Sequence, residues 1–266
     1  MMLIVGELIN TSRRRVEAAV RDRDADFIGE LAERQVAAGA AYVDVNCGTL
    51  VGEEVEALPW LVKTVQARVD VPLCIDSANP EAIEAALRVH RGQAMVNSIT
   101  AEGDRFESFL PLIREYGASV IALCMDDQGI PDTSEQRFEV ALRLVEDLKA
   151  AGLKPEQIYI DPLIRPISTG SQFGVTALET IQRVKQHLSG VYTICGLSNI
   201  SFGLPRRQVL NMTFLALCLS AGLDAAILDP TETANMAVLR AAEALLGRDE
   251  YCRNYLEAYR QGKLSI

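Results

Sequence analysis

Acidic and amide side chains recur where the short apolar stretches of this chain end, and they are the residues whose types suit binding chemistry. Carboxylates accept hydrogen bonds, while amides both donate and accept them. A set rich in Asp and Asn therefore suits a heterocycle with several ring and exocyclic N–H groups. The set comprises Glu7, Asn10, Asp44, Asn46, Asp76, Asn97, Ser98, Asp126, Asp161, Ser198, Asn199 and Asp229.

Three chemical interpretations of this set remain open from the residues alone. In the first, Asp76 and Asp161 each accept from N–H groups of a ring, and Asn97 satisfies a ring nitrogen or carbonyl. In the second, Asp44, Asp76, Asp161 and Asp229 form an all-oxygen Mg²⁺ site. In the third, individual members only cap turns or helix starts.

The residue types missing from these positions exclude other chemistries. The lysines, at positions 63, 149, 154, 185 and 263, fall in helical or terminal segments, whereas a Schiff-base enzyme needs a lysine on an inner strand. The two histidines, His90 and His187, lie near predicted helix ends, and no H-x-H follows a strand. A histidine-based metal centre is therefore not expected, and both histidines are predicted to be solvated helix residues.

The elements that must position the polar set are short, β-branched and continuously apolar, as strands buried on both faces are. They alternate with helical patterns, and Asn79 followed by Pro80 predicts one helix start. Eight such units predict a single (β/α)₈ TIM barrel spanning residues 1–266, with its site at the carboxyl ends of the strands. An open doubly wound sheet is the alternative, but no G-x-G-x-x-G follows the first strand. The predicted strands are 3–8, 41–46, 71–76, 94–99, 118–125, 157–161, 191–198 and 224–229.

Composition indicates which kinds of partner and which cellular compartment to expect. The formal net charge of −10 argues against broad contacts with nucleic-acid backbones. No apolar run reaches the length of a membrane span, and MMLIVGELIN lacks the basic region of a signal peptide. None of the six cysteines forms a C-x-x-C pair, so we expect buried thiols in a cytoplasmic protein.

Seven segments together resemble one family, the methyltetrahydrofolate:corrinoid (iron–sulfur) protein methyltransferases. These are pterin-binding barrels related to dihydropteroate synthase and to the folate domain of methionine synthase. The resemblance covers essentially the whole chain. The segments are LIVGELIN, AAYVDVNCG, PLCIDSANPEAIEAAL, AMVNSITAE, QIYIDPLI, CGLSNISFGLPRR and NMTFLALCLSAGLDAAILDP.

The resemblance implies a function and partners. The enzyme would move a methyl group between 5-methyltetrahydrofolate and the cobalt of a corrinoid. The corrinoid motif D-x-H-x-x-G is absent, so the corrinoid, or cobalamin, is expected on a separate protein. A homodimer without a bound metal is also expected. A dihydropteroate-synthase-like barrel and a non-catalytic folate-binding barrel are the alternatives.

The resemblance also assigns residues. In the family an Asp, an Asn and an Asp hold the pterin, and here they are Asp76, Asn97 and Asp161. Asn199 takes the catalytic position beside the methylated ring nitrogen, and Gly196 and Ser198 line the pocket.

Further residues are expected around the pterin pocket. Asp44, Asn46, Ser98 and Arg207 are expected to support it. Arg207 or Arg165 is expected to meet the anionic glutamate tail of the folate.

One position departs from the acetogenic members of the family. Phe202 stands three residues after Asn199, where a Gln is expected. This departure removes one polar partner near the methylated nitrogen. It favours a role in the breakdown of methylated compounds, with transfer from a methylcorrinoid protein to tetrahydrofolate.

Overall fold

The computed structural model describes residues 1–264, and its strands close into a barrel. All neighbouring strands are parallel and follow chain order, with the first paired to the eighth. The (β/α)₈ prediction is confirmed, and each of the eight predicted strands is present. The strands are β1 Leu3–Asn10, β2 Tyr42–Asn46, β3 Leu73–Asp76, β4 Met95–Ala101, β5 Ser119–Asp126, β6 Ile158–Asp161, β7 Tyr192–Gly196 and β8 Ala225–Leu228.

Helices follow the strands and cover the outside of the barrel. The predicted cap of α4 is confirmed, because Asn79 Oδ1 accepts the Glu81 N–H at 2.9 Å. The helices are α1 Arg14–Arg21, α2 Ala25–Ala37, α3 Glu54–Gln66, α4 Pro80–Leu87, α5 Gly103–Glu115, α6 Ser134–Ala150, α7 Phe173–His187, α8 Arg207–Ala221, α9 Thr233–Leu245 and α10 Arg253–Arg260.

Apolar side chains fill both sides of the strand wall. Inside the barrel, a cluster takes one buried residue from each of seven strands. Two larger clusters lie between the strands and the helices, so the strands are buried on both faces, as their continuous apolar sequences predicted. The inner cluster consists of Val5, Cys74, Met95, Ile121, Tyr159, Ile194 and Ala225.

Two local predictions are corrected. Strand β7 ends at Gly196 rather than at Ser198, because Leu197–Ser201 forms a short 3₁₀ helix. His90 is not a solvated helix residue: it follows the end of α4, is partly buried, and its Nε2 lies 3.1 Å from the Leu73 N–H. His187 is exposed, as predicted.

The remaining composition-based predictions concern burial. Five cysteines are buried, and Cys252 alone of the six is exposed. Across residues 1–264, no helix combines the length and the apolar character needed to cross a membrane.

Candidate active site

A cavity of about 420 Å³ opens at the carboxyl ends of the strands. All six residues predicted to hold or assist the pterin contribute to its wall, and so does Asp44. The cavity therefore gathers residues from strands that are far apart in sequence. Its lining is Glu7, Asn10, Ser12, Arg13, Asp44, Asp76, Asn97, Leu123, Asp161, Leu163, Gly196, Ser198, Asn199 and Ile227.

Register brings one row of polar residues together across β2, β3 and β4. Asn46 pairs with Asp76, and Asp76 pairs with Asn97. Burial raises the pKa of Asp76 to about 6, whereas a hydrogen bond from the Asn46 side chain and the charge of Arg105 oppose that rise. Asn46 does not line the cavity itself; it supports Asp76 through that hydrogen bond.

Asp44, expected to support the pocket, lines the same cavity and is almost fully buried, with 3% of it exposed. Burial raises the pKa of its carboxyl well above the ordinary value, and the charge of Asp76 adds to the rise. Among the described residues, its buried Oδ1 has no hydrogen-bond partner. A protonated carboxyl can donate as well as accept, so Asp44 can present a donor to a ligand in the cavity.

Asp161 ends β6 and is fixed by the turn that follows it. Its Oδ1 accepts the Leu163 N–H at 2.7 Å. Burial raises the pKa of Asp161 to about 7, while that hydrogen bond and the charge of Arg137 act in the opposite direction. Near neutral pH this carboxyl can therefore act in either protonation state.

Asn199 projects from the 3₁₀ turn after β7. A Cβ on Gly196 would lie 3.1 Å from Asn199 Nδ2, so glycine leaves the amide room to sit over the strand end. The Asn199 side chain is exposed and makes no hydrogen bond to residues 1–264. It is free to reach a ligand in the cavity. Beside it, Ser198 Oγ lies 3.4 Å from Glu7 Oε2.

Glu7 of β1 forms an ion pair with Arg13, a residue just after the strand that the sequence prediction did not include in the site. Arg13 Nη2 lies 3.3 Å from Glu7 Oε1. Burial raises the pKa of Glu7, and Arg13 opposes the rise. The run TSRRR after β1 was the available signal for this arginine. The apolar wall residues Leu123, Leu163 and Ile227 left no comparable signal.

Several residues of the original polar set cap turns instead of lining the cavity. Asn46 accepts the Gly48 N–H at 3.0 Å, and Asp229 accepts the Thr231 N–H at 2.8 Å. Asp126 lies in a separate surface pocket, where its Oδ1 accepts the Gln128 N–H at 3.1 Å and its Oδ2 is paired with Arg143 at 2.5 Å. The capping interpretation holds for these residues.

The remaining candidate residues lie beside the cavity. Ser98 is buried, and its carbonyl oxygen accepts from the Arg105 guanidinium at 2.8 Å. Arg207 lines a neighbouring pocket and donates to the Ser198 carbonyl oxygen at 2.6 Å. Arg165 is paired with Asp132 at 2.8 Å.

The four acidic residues of the magnesium interpretation do not form one cluster. Asp44, Asp76 and Asp161 line the central cavity, whereas Asp229 lines the neighbouring pocket with Arg207. Within the described part of the chain, no group of three or more His, Cys, Asp or Glu residues is arranged to hold a metal ion. The donor arrangement suits a ligand with N–H groups better than a hard cation.

Comparison with known proteins adds an independent line of information. Residues 6–229 match the family model described as pterin binding enzyme. A methylcorrinoid:tetrahydrofolate methyltransferase from Eubacterium limosum is 37% identical over 265 residues, covering 99% of this chain and 98% of that protein. A methionine synthase from Mycobacterium leprae is 36% identical over 244 residues, covering 85% of this chain but 20% of that protein.

Solved structures show the same fold. The Yersinia pestis dihydropteroate synthase superposes with a TM-score of 0.66 at 17% identity, covering 92% of this chain and 93% of that one. A Xanthomonas albilineans dihydropteroate synthase gives a TM-score of 0.65 at 20% identity, covering 94% of this chain and 93% of that one. At these identities the likeness concerns the fold alone.

Proposed function

Because the chain belongs to the family of pterin binding enzymes, we propose that it is a methyltransferase acting between tetrahydrofolate and a corrinoid carried on a separate protein. The whole chain serves as one catalytic domain in this proposal. The observation that carries it is the convergence of Asp76, Asn97, Asp161 and Asn199 in one cavity at the carboxyl end of the barrel. The relative from Eubacterium limosum, which matches over 99% of this chain, supports the same assignment.

The cavity chemistry fits a reduced pterin. Asp76 and Asp161 accept from the N–H groups of the ring, and Asn97 pairs with a ring nitrogen or carbonyl. Gly196 and Ser198 contribute to the same wall, and Asp44 presents its carboxyl from within the cavity. Asn46 and Ser98 support the side chains that touch the ring. The result is a ring held in one orientation, which lowers the entropic part of the barrier.

The reaction needs no nucleophile from the protein. Toward tetrahydrofolate, the ring nitrogen forms its bond to the methyl carbon while the carbon–cobalt bond breaks. The bonding pair stays with cobalt, and the proton of the nitrogen passes to solvent. Asn199 hydrogen-bonds that nitrogen as its charge changes, which stabilises the transition state more than the bound ground state.

The preferred direction is from the methylcorrinoid protein to tetrahydrofolate. Phe202 is 64% exposed at the end of the turn that carries Asn199. It leaves the methylated nitrogen with one polar partner fewer than the acetogenic pattern provides. The name of the Eubacterium limosum relative describes the same direction.

Two other functions fit less well. A dihydropteroate synthase of this family uses a lysine after strand seven and an Arg-x-His after strand eight, but this chain has Ser198-Asn199 and AILDP there. A non-catalytic folate-binding barrel accounts for the pterin contacts, but it gives Asn199 no role.

Partners and compartment complete the proposal. The corrinoid protein approaches the barrel mouth, where Arg207 is also available to the glutamate tail of the folate. The enzyme is a cytoplasmic homodimer, and the five buried free thiols agree with a reducing compartment. Analytical ultracentrifugation tests the dimer.

The decisive experiment mixes the purified chain, without oxygen, either with tetrahydrofolate and methylcobalamin or with 5-methyltetrahydrofolate and cob(I)alamin, and follows the cobalt absorption bands. Conversion in either direction is expected; a chain that binds tetrahydrofolate but transfers no methyl group is a binding protein instead.

Asn199→Ala should slow transfer by roughly 10²-fold or more, with a much smaller loss of folate affinity. Asn254→Ala, exposed on α10, is the matched control and should behave as the unmodified chain. Equal losses of rate and affinity in Asn199→Ala would refute the catalytic role.

A further inference from the structure

Arg137, on α6, is fully buried and has only carbonyl partners. Its exposure is 0%, and no acidic side chain within residues 1–264 forms a salt bridge with it. Its Nε donates to the Pro131 carbonyl at 2.9 Å, and its Nη1 donates to the carbonyls of Pro162 at 2.7 Å and Leu163 at 2.9 Å. In the described chain its buried Nη2 has no partner.

Burying a cation without a paired anion costs free energy, so the contacts of Arg137 indicate a role that a neutral side chain would not fill. The three carbonyls belong to the segments that follow β5 and β6. Leu163 has φ +59, a left-handed conformation that non-glycine residues rarely adopt. The guanidinium thus joins two mouth segments and holds an unfavourable turn closed.

The same turn positions a cavity carboxylate. The Leu163 N–H donates to Asp161 Oδ1 at 2.7 Å, while the Leu163 carbonyl accepts from Arg137 Nη1 at 2.9 Å. The backbone of Leu163 therefore connects the buried guanidinium of Arg137 to the Asp161 carboxyl in the cavity wall. Both Leu163 and Asp161 line that cavity.

We propose that Arg137 is a positioning residue: it clamps the Pro162–Leu163 turn so that the Asp161 carboxylate faces the pterin in its acceptor form. This inference rests on the proposed function, because it takes the ligand of Asp161 to be the pterin ring. It adds a residue outside the cavity wall to the machinery that recognises the ring.

The charges around Asp161 support the clamp. Arg137 faces Asp161 from α6, while Cys124 faces it from β5 and Cys195 from β7. Burial raises the pKa of Cys124, and contact with Cys218 together with burial raises that of Cys195, so both thiols stay neutral. Arg137 itself also faces Arg165 and Asp132. Among these groups, Arg137 is thus the one whose charge stabilises the ionised form of Asp161 over the protonated form.

The test measures tetrahydrofolate affinity against pH, from about 5.5 to 9, on the purified full chain. In Arg137→Met the pH midpoint for binding should move toward alkaline pH, because the charge of Arg137 opposes the rise in the pKa of Asp161 and its removal lets that pKa rise further. Arg137→Lys should return the midpoint toward that of the unmodified chain but leave affinity reduced, because an ammonium lacks the rigid fork. The binding curve of Asp161→Asn should lack the pH-dependent change in affinity that titration of Asp161 causes. Any change that remains then belongs to Asp76.

The control is Arg143→Met, an exposed arginine on the same helix, which should leave the midpoint unchanged. If Arg137→Met binds tetrahydrofolate more weakly but keeps the same pH midpoint of binding, Arg137 has only a structural role and the inference is overturned. If circular dichroism shows that Arg137→Met does not fold, Arg137→Lys decides: unchanged affinity overturns the clamp. Binding is measured apart from methyl transfer, so a chain that binds with the expected shifts but transfers nothing refutes the proposed function alone.

Discussion

Asp161→Asn should make the ligand-free chain more stable at alkaline pH, although it weakens the proposed site. Burial raises the pKa of Asp161 from 3.8 to about 7. A carboxyl with a raised folded pKa favours folding most below its unfolded pKa, and that contribution is lost as pH rises through the folded pKa. The window for Asp161 therefore runs from about pH 4 to about pH 7.

The size of the effect follows from that difference. A rise from 3.8 to about 7 corresponds to roughly 4 kcal/mol between the two ends of the window. Asparagine has nearly the same shape, keeps an oxygen for the Leu163 N–H, and carries no charge at any pH. The variant should match the unmodified chain near pH 4 and exceed its stability by up to about 4 kcal/mol above pH 8. For a domain of this size that is a rise in Tm of about 10 °C.

Urea denaturation at several pH values measures the difference directly, and Asp147→Asn, exposed on α6, controls for the loss of one surface charge. Two stability curves that stay parallel from pH 4 to pH 9 would refute the reasoning, as would an Asp161→Asn chain that is less stable above pH 8. Tetrahydrofolate should reverse the order, because its ring N–H groups stabilise the carboxylate of the unmodified chain.

Two further substitutions test how the fold positions the site, each read by the free energy of unfolding in urea. Asn79→Ala should cost about 1 kcal/mol, since it removes the side-chain oxygen that caps α4 through the Glu81 N–H. Gly6→Ala should cost about 1–3 kcal/mol, because its Cβ would lie 2.4 Å from Gln35 Oε1, which is held by the Leu8 N–H. An unchanged midpoint in either variant would contradict the corresponding contact.

The sequence was sufficient to predict the barrel because its signal is local. Continuous apolar runs of strand length are typical of strands buried on both faces, and the alternation with helices then restricts the fold class. Details that depend on tertiary packing were not predictable in the same way. His90 looks like a helix-end residue in the sequence, but the chain folds its ring against the first N–H of β3.

The site was predictable as a set of residue types but not as a division of roles. Asn46 and Asn97 look alike in sequence, each at a strand end, yet Asn97 lines the cavity while Asn46 caps its own loop and supports Asp76. Register and loop geometry make that division. Arg137 lies in an ordinary helical pattern, so only the folded chain reveals its contact with the turn after β6.

The buried carboxyls of the cavity share one electrostatic state, which bears on how the site can bind a ligand. Burial raises the pKa of Asp44, Asp76 and Asp161 alike, because the surrounding protein solvates their charged forms poorly. A ring that donates N–H groups supplies the solvation that the protein withholds. If the ligand is the pterin of the proposed function, binding of its ring and ionisation of the acceptor carboxyls occur together. Asn199, which is neutral at every pH, can serve the reacting nitrogen without taking part in that titration.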